Sequence, residues 1–252
     1  MAKAMGLMEQ ATHVRLAVTS MLLATSGVLT VAGSAQRWWP ACQIGAFDSG
    51  GCLDLQDHAY DYIVPSDPWT PLGRAAELHG TGMLLLAGAV LLLPGVLNGR
   101  WPGRMLTLAA IVVSTGVALA GLSTLFSGLE EAVVSLPAMW LPAVLYVLGL
   151  PALLIISVAR ASKAPRRVQL ARWAVVMCLV VANNVLILHL MVAPVVLMYS
   201  SFDTTPWAEA VGGVLLIATS AFLWLAIPRN PALRQSCATS PSSPRTTVWL
   251  RS

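Results

Sequence analysis

Six long apolar runs, with the charges confined between them, constrain this chain more than any other feature. The runs cover about residues 15–35, 79–97, 105–126, 137–159, 173–199 and 208–228. A helix rises about 1.5 Å per residue and needs roughly 20 residues to cross about 30 Å of hydrocarbon, so each run can span. The runs are continuous rather than alternating, which selects helices over barrel strands. With 57% hydrophobic and 10% charged residues and a mean hydropathy of +0.74, an ordinary soluble domain is excluded. The expected fold class is all-α: a polytopic bundle of six transmembrane helices over residues 1–229.

The signs of the charges set the expected orientation. Asp48, Asp54, Asp57, Asp61, Asp67, Glu77, Glu130, Glu131, Asp203 and Glu209 fall in or beside every second connection. Arg100, Arg104, Arg160, Lys163, Arg166, Arg167, Arg172, Arg229 and Arg234 fall in the others. Cations next to spans stay on the cytoplasmic side, so both termini are expected inside and residues 36–76 outside. Arg37 and Arg74 lie on the outer side, each close to a membrane end. The net charge of +4 then reports orientation and anionic-lipid contact rather than nucleic acid. A multi-pass protein of a bacterial plasma (inner) membrane is the expected setting, with the lipid bilayer and other membrane subunits as partners. Ala32-Gly33-Ser34-Ala35 meets a signal-peptidase pattern only loosely, and the apolar run before it is too long, so the first run is kept as an anchor. Residues 230–252, rich in Ser, Pro, Thr and Arg, read as a disordered cytoplasmic tail.

The external loop carries Cys42 and Cys52 around the turn-forming Asp48-Ser49-Gly50-Gly51. In an oxidising compartment this pair is expected to form a structural disulfide, worth roughly 2–3 kcal/mol for so short a loop. A redox-active pair would want the CxxC spacing, which is absent. Cys178 and Cys237 are expected to be inert. Asp54, Asp57, His58 and Asp61 form an acidic stretch that reads either as a solvated cap contacting a partner or as a divalent-cation loop, although no known cation-loop spacing is met.

Within the spans, His79 opens the second run and His189 lies about sixteen residues into the fifth, which places both in the outer half. Imidazole in hydrocarbon is costly unless it meets a partner, water or a metal. Each His reads as an interhelical hydrogen-bonding group, or the two together as axial ligands of a haem b iron or another metal. Met83 is four residues after His79 and could add a thioether for copper, or simply pack. Asn183 and Asn184 are read as interhelical hydrogen-bond donors, since neither stands three or four residues from His189. Arg74 and Glu77 are expected to pair locally. Pro142, Pro151 and Pro194 predict kinks in runs four and five.

Trp39-Pro40-Ala41-Cys42, Glu77-Leu78-His79 and Gly121-Leu122-Ser123-Thr124-Leu125 together resemble the haem A synthase family over the first half of the chain. The family's Cys pair is spaced differently, its Glu and His stand one position further apart, and it has eight spans. The resemblance implies an outer-leaflet haem site and no synthase activity. Three functions are carried forward. The first is an accessory or assembly subunit without catalytic machinery. The second is a haem- or metal-binding redox protein, and the third is a small-molecule permease. An enzyme is the less favoured class.

Overall fold

The computed structural model describes residues 2–63, 65–98, 102–135, 140–160, 165–184, 187–201 and 203–226, with side chains from Gln10 onward. Arg100, Lys163, Arg229, Arg234, Cys237 and the tail 230–252 lie outside the described residues.

All regular structure among the described residues is helical. The first run lies within α1 (Ala2–Trp38), which continues unbroken through Ala32–Ala35 and stops just before Pro40. A one-turn helix, α2 (Gly50–Asp54), and a 3-10 turn (His58–Tyr60) follow in the loop. Runs two to four become α3 (Ala75–Asn98), α4 (Arg104–Glu130) and α5 (Trp140–Arg160). The fifth run divides into α6 (Arg166–Asn183) and α7 (Leu188–Leu197), inclined by 94° to one another. The last is α8 (Ala208–Phe222).

Four of these helices, α1, α3, α4 and α5, are long and apolar enough to cross a membrane, and α6 with α7 makes a fifth if the bent pair is one span. The expected sixth span is the exception. At 15 residues α8 is about 22 Å long, short of the hydrocarbon thickness, although tight turns extend it to Ala226. Met105, Leu148, Met177 and Val195 stand exposed on the helix exteriors, an arrangement suited to lipid and not to water. The chain is a multi-pass helical membrane protein.

α3 packs between α1 and α4, and α8 packs between α1 and α6. Two glycine contacts permit this closeness. A Cβ on Gly80 would lie 2.7 Å from the Gly121 carbonyl, and one on Gly27 would lie 2.5 Å from the Gly213 carbonyl. Lipid tails give apolar helices no reason to associate, so small residues that let backbones touch supply the attraction. Leu23, Val90, Leu93, Val117, Leu154 and Leu179 fill the main core below.

Beside the prolines expected to kink runs four and five, the backbone is wound into wider turns. A π-wound turn, Leu145–Gly149, lies between Pro142 and Pro151, and a second, Leu188–Val192, leads into Pro194. Proline lacks the N–H that would bond the carbonyl four residues back, and its ring crowds that carbonyl, so the preceding turn widens.

Candidate functional site: a capped polar chamber

The loop is pinned as the cysteine pair predicts. Cys42 and Cys52 are disulfide-bonded, with Cα atoms 4.8 Å apart, and are buried with Trp38 and Phe47. Further bonds tie this cap to the segment joining α7 and α8. Trp207 Nε1 donates to the Cys42 carbonyl at 2.8 Å, and Gln56 Oε1 accepts from Ser201 Oγ.

Arg37 is the hub. Read from sequence as an interfacial charge, it is 1% exposed and supports the loop from beneath. Nε and Nη2 donate to the Leu55 carbonyl at 3.0 and 2.7 Å, Nη2 to the Asp57 carbonyl at 3.2 Å, and Nη1 to Asp61 at 2.6 Å. Its guanidinium also lies 4.2 Å over the Trp38 ring. The loop carbonyls therefore recruit the end of α1, which no charge count could reveal.

The acidic stretch separates into distinct roles. Asp54 is exposed, and Asp57 caps the 3-10 turn by accepting from the Ala59 N–H at 2.7 Å. His58 bridges two carboxylates, Asp61 at 2.9 Å and Asp203 at 3.0 Å. The hydrogen bond to Asp61 raises the His58 pKa against partial desolvation, and the charges of Asp203, Asp61 and Asp57 add to it. Burial pushes the Asp61 carboxyl upward, but bonds from His58, Arg37 and Thr204 outweigh this and hold it below the ordinary range. No group of three or more His, Cys, Asp or Glu among the described residues could hold a metal ion. Arg74 and Glu77 pair at 2.8 Å, as their spacing predicts.

Glu209 departs most from its sequence reading. Counted among the outer connection charges, it is 3% exposed on the first turn of α8. Its Oε2 accepts from Trp38 Nε1 at 2.9 Å and Ser34 Oγ at 3.5 Å, and its Oε1 stands 4.0 Å from Arg37. Close packing of α1 on α8 brings these residues together.

Glu209, His79, His189, Asn183, Tyr146 and Thr30 help line one inner cavity of about 40 Å³. His79 is 6% exposed, and neither ring nitrogen has a hydrogen-bond partner; its ring meets Tyr62 edge-on at 5.5 Å. Burial, then the Glu209 charge, pushes the Tyr62 phenol well above its usual pKa, so it stays neutral. The structure thus brings His79 and His189 to a shared space. That space accommodates one to three waters. Met83 is not part of the site. It sits in the main apolar core, where its Cβ faces Gly121 of α4.

The asparagines also depart from helical spacing. Asn183 reaches the same cavity as His189 because α6 ends there and the chain turns, so a regular helical count across the break does not apply. Its Oδ1 accepts from Tyr146 Oη at 3.2 Å, and its Nδ2 donates to the Leu179 carbonyl. Asn184 Oδ1 instead accepts from the Ile187 N–H at the start of the next helix.

A larger cavity of about 320 Å³ adjoins, sharing His189, Tyr146 and Glu209 as its wall. It reaches His58, Asp61 and Asp203 at the cap and Ala143, Val147 and Leu190 on the flank. Both π-wound turns contribute to it: Tyr146 and Val147 from one, His189 and Leu190 from the other. Sequence reasoning named the prolines that cause the turns but not the residues they re-aim. No protein-family model matches the chain, and no curated protein or solved structure matches it either.

Proposed function

We propose that this is a six-span membrane protein, with both termini cytoplasmic, that binds a small ligand in a chamber under its external cap. The observation that carries the reading is His79, an imidazole buried in the outer half with both nitrogens unpaired and facing a cavity it shares with His189 and Glu209. An imidazole that no protein group pairs costs about 1–3 kcal/mol unless something in the cavity bonds it, so the position is explained by what the cavity holds. Two π-wound turns and a broken helix at the same place add support, because irregular backbone in a membrane is tolerated where it lines a cavity. The charge distribution supports the orientation, and the disulfide supports an oxidising side for the cap. The unpaired imidazole and the cavity favour ligand handling over the accessory-subunit reading.

Single-cysteine labelling tests this. In a background with Cys178→Ala and Cys237→Ser, His189→Cys is expected to react with a small water-soluble thiol reagent added to intact cells. Val158→Cys, fully buried in the native packing, supplies the unreactive control. Reaction of Cys at 189 no faster than at 158 overturns the chamber, and reaction only from the cytoplasmic side overturns the orientation.

A further inference from the structure

We infer that the outer cavity takes an amphiphile with a positively charged amine head, the head lying at Glu209 and the chain leaving sideways into the bilayer; this rests on the chamber reading above. The cavity joins two unlike kinds of lining. Glu209, Asp61 and Asp203 contribute carboxylates to it, and Ala120, Ala143, Val147 and Leu190 contribute aliphatic surface. Leu190 is 70% exposed on the lipid-facing side of α7, while Glu209 is almost completely enclosed. A lining that holds an enclosed carboxylate and an exposed aliphatic side chain matches a molecule with a charged head and an apolar chain. The two alanines keep the aliphatic lining open, and the widened turns contribute Val147 and Leu190 to it.

The charge balance selects the head. Three carboxylates, from Asp61, Asp203 and Glu209, face one guanidinium, so the lining is formally −2 with neutral imidazoles and −1 with His58 protonated. Arg37 directs hydrogen bonds to the Leu55 and Asp57 carbonyls and to Asp61. A phosphate or carboxylate head would meet net repulsion, and Arg37, His58, Tyr146 and Thr204 already direct donors to other partners. An ammonium meets acceptors, in surroundings where a charge pair counts for several times its value in water.

The test uses the full chain in phosphatidylcholine nanodiscs doped equally with dodecylamine, dodecanol and dodecyl phosphate, with bound probe read by native mass spectrometry. Dodecylamine is expected to be retained at least about tenfold over the other two. Asp203→Asn, at the partly exposed rim, is expected to lower that retention about tenfold, with Tm in the same nanodiscs separating lost binding from a loosened His58 bridge. Glu209→Gln is expected to lower it further, and Ala143→Phe, which blocks the flank, to abolish it. Preference for dodecanol or dodecyl phosphate, with His189→Cys still reactive, overturns the amine head and leaves the chamber standing. Equal retention of all three, or amine retention untouched by Asp203→Asn, also overturns it. No retention of any probe together with an unreactive Cys at 189 removes both.

Discussion

Replacing His79 by Phe separates a functional imidazole from a structural one. The native ring is buried with two unpaired nitrogens, an arrangement that costs about 1–3 kcal/mol relative to an apolar group of similar shape. Phe removes both polar atoms and keeps the edge-on contact with Tyr62, worth about 0.5–1.5 kcal/mol and otherwise lost with the ring. The extra volume of the larger ring can enter the adjoining cavity of about 40 Å³ rather than displace backbone. A strained fit would return part of the gain, since inserting atoms into a packed site typically costs about 1 kcal/mol or more. The balance is a stabilisation of about 1 kcal/mol, which for a chain of this size raises Tm by about 2–4 °C. The nine tryptophans give the assay, a fluorescence melt of wild type and variant in the same detergent. Labelling of Cys at 189 should slow in the His79→Phe background, because the inner end of the chamber is filled. A Tm lowered by more than about 4 °C would show that the His79 nitrogens make bonds that hold the native fold, and the functional reading would fail.

Cys42→Ser with Cys52→Ser releases a ten-residue separation and is expected to cost about 2–3 kcal/mol, read as a Tm lower by about 5–10 °C that matches the reduced wild type. His58 has a raised pKa when folded, so its clamp on Asp61 and Asp203 is complete below its unfolded value of 6.5 and is lost as pH rises through the raised one. Hydrogen exchange at residues 59–62, corrected for its intrinsic pH dependence, should therefore accelerate above pH 6.5 in wild type and stay flat in His58→Gln. Asp61 acts in the opposite window: its contribution is present above 3.8 and is lost as pH falls through its lowered value. Gly27→Ala forces a methyl against the Gly213 carbonyl and should cost about 1–3 kcal/mol by parting α1 from α8, with loss of the Trp38–Glu209 bond visible as a shift in tryptophan emission.

The helices and the disulfide were legible because both follow from short-range rules. Apolar length marks a span, and two cysteines ten residues apart across a Gly-Gly turn have little else to pair with. The end of α6 at Asn183 was only half legible: the Asn183-Asn184 pair interrupts the apolar run there, but two asparagines mark an interhelical hydrogen bond as readily as a break, and only the geometry of the following helix distinguishes the two. Glu209 failed for a different reason. Its position at the head of an apolar run reads as a loop charge, and its burial depends on Trp38 and Ser34, more than 170 residues away along the chain. Arg37 is the same case seen from the other helix. The His79–His189 pairing was suggested by depth alone, yet depth does not fix rotation about a helix axis. Met83, which shares the depth of His79 within one turn, faces α4 and stays in the core.

The cap and the chamber are linked through a single guanidinium. Arg37 binds two loop carbonyls and Asp61 above, and approaches Glu209 below, while Asp61 in turn holds His58 against Asp203. A buried pair left without one partner typically loses about 3–5 kcal/mol, so Arg37 cannot give up its carboxylates without the loop giving way. The spacing divides the two carboxylates: Asp61 at 2.6 Å is a direct hydrogen bond, whereas Glu209 at 4.0 Å is a charge contact that leaves its carboxylate bonded to Trp38 and Ser34. A cation arriving at Glu209 competes with Arg37 for the weaker of its two contacts, and the stronger one keeps the cap closed. On the proposed reading, a ligand entering by the flank would pass beneath an intact cap, whereas one entering by the rim would first break the His58 bridge, whose strength falls as pH rises. A binding rate independent of pH near His58's titration would place the path on the lipid side, and a rate that follows that titration would place it at the rim.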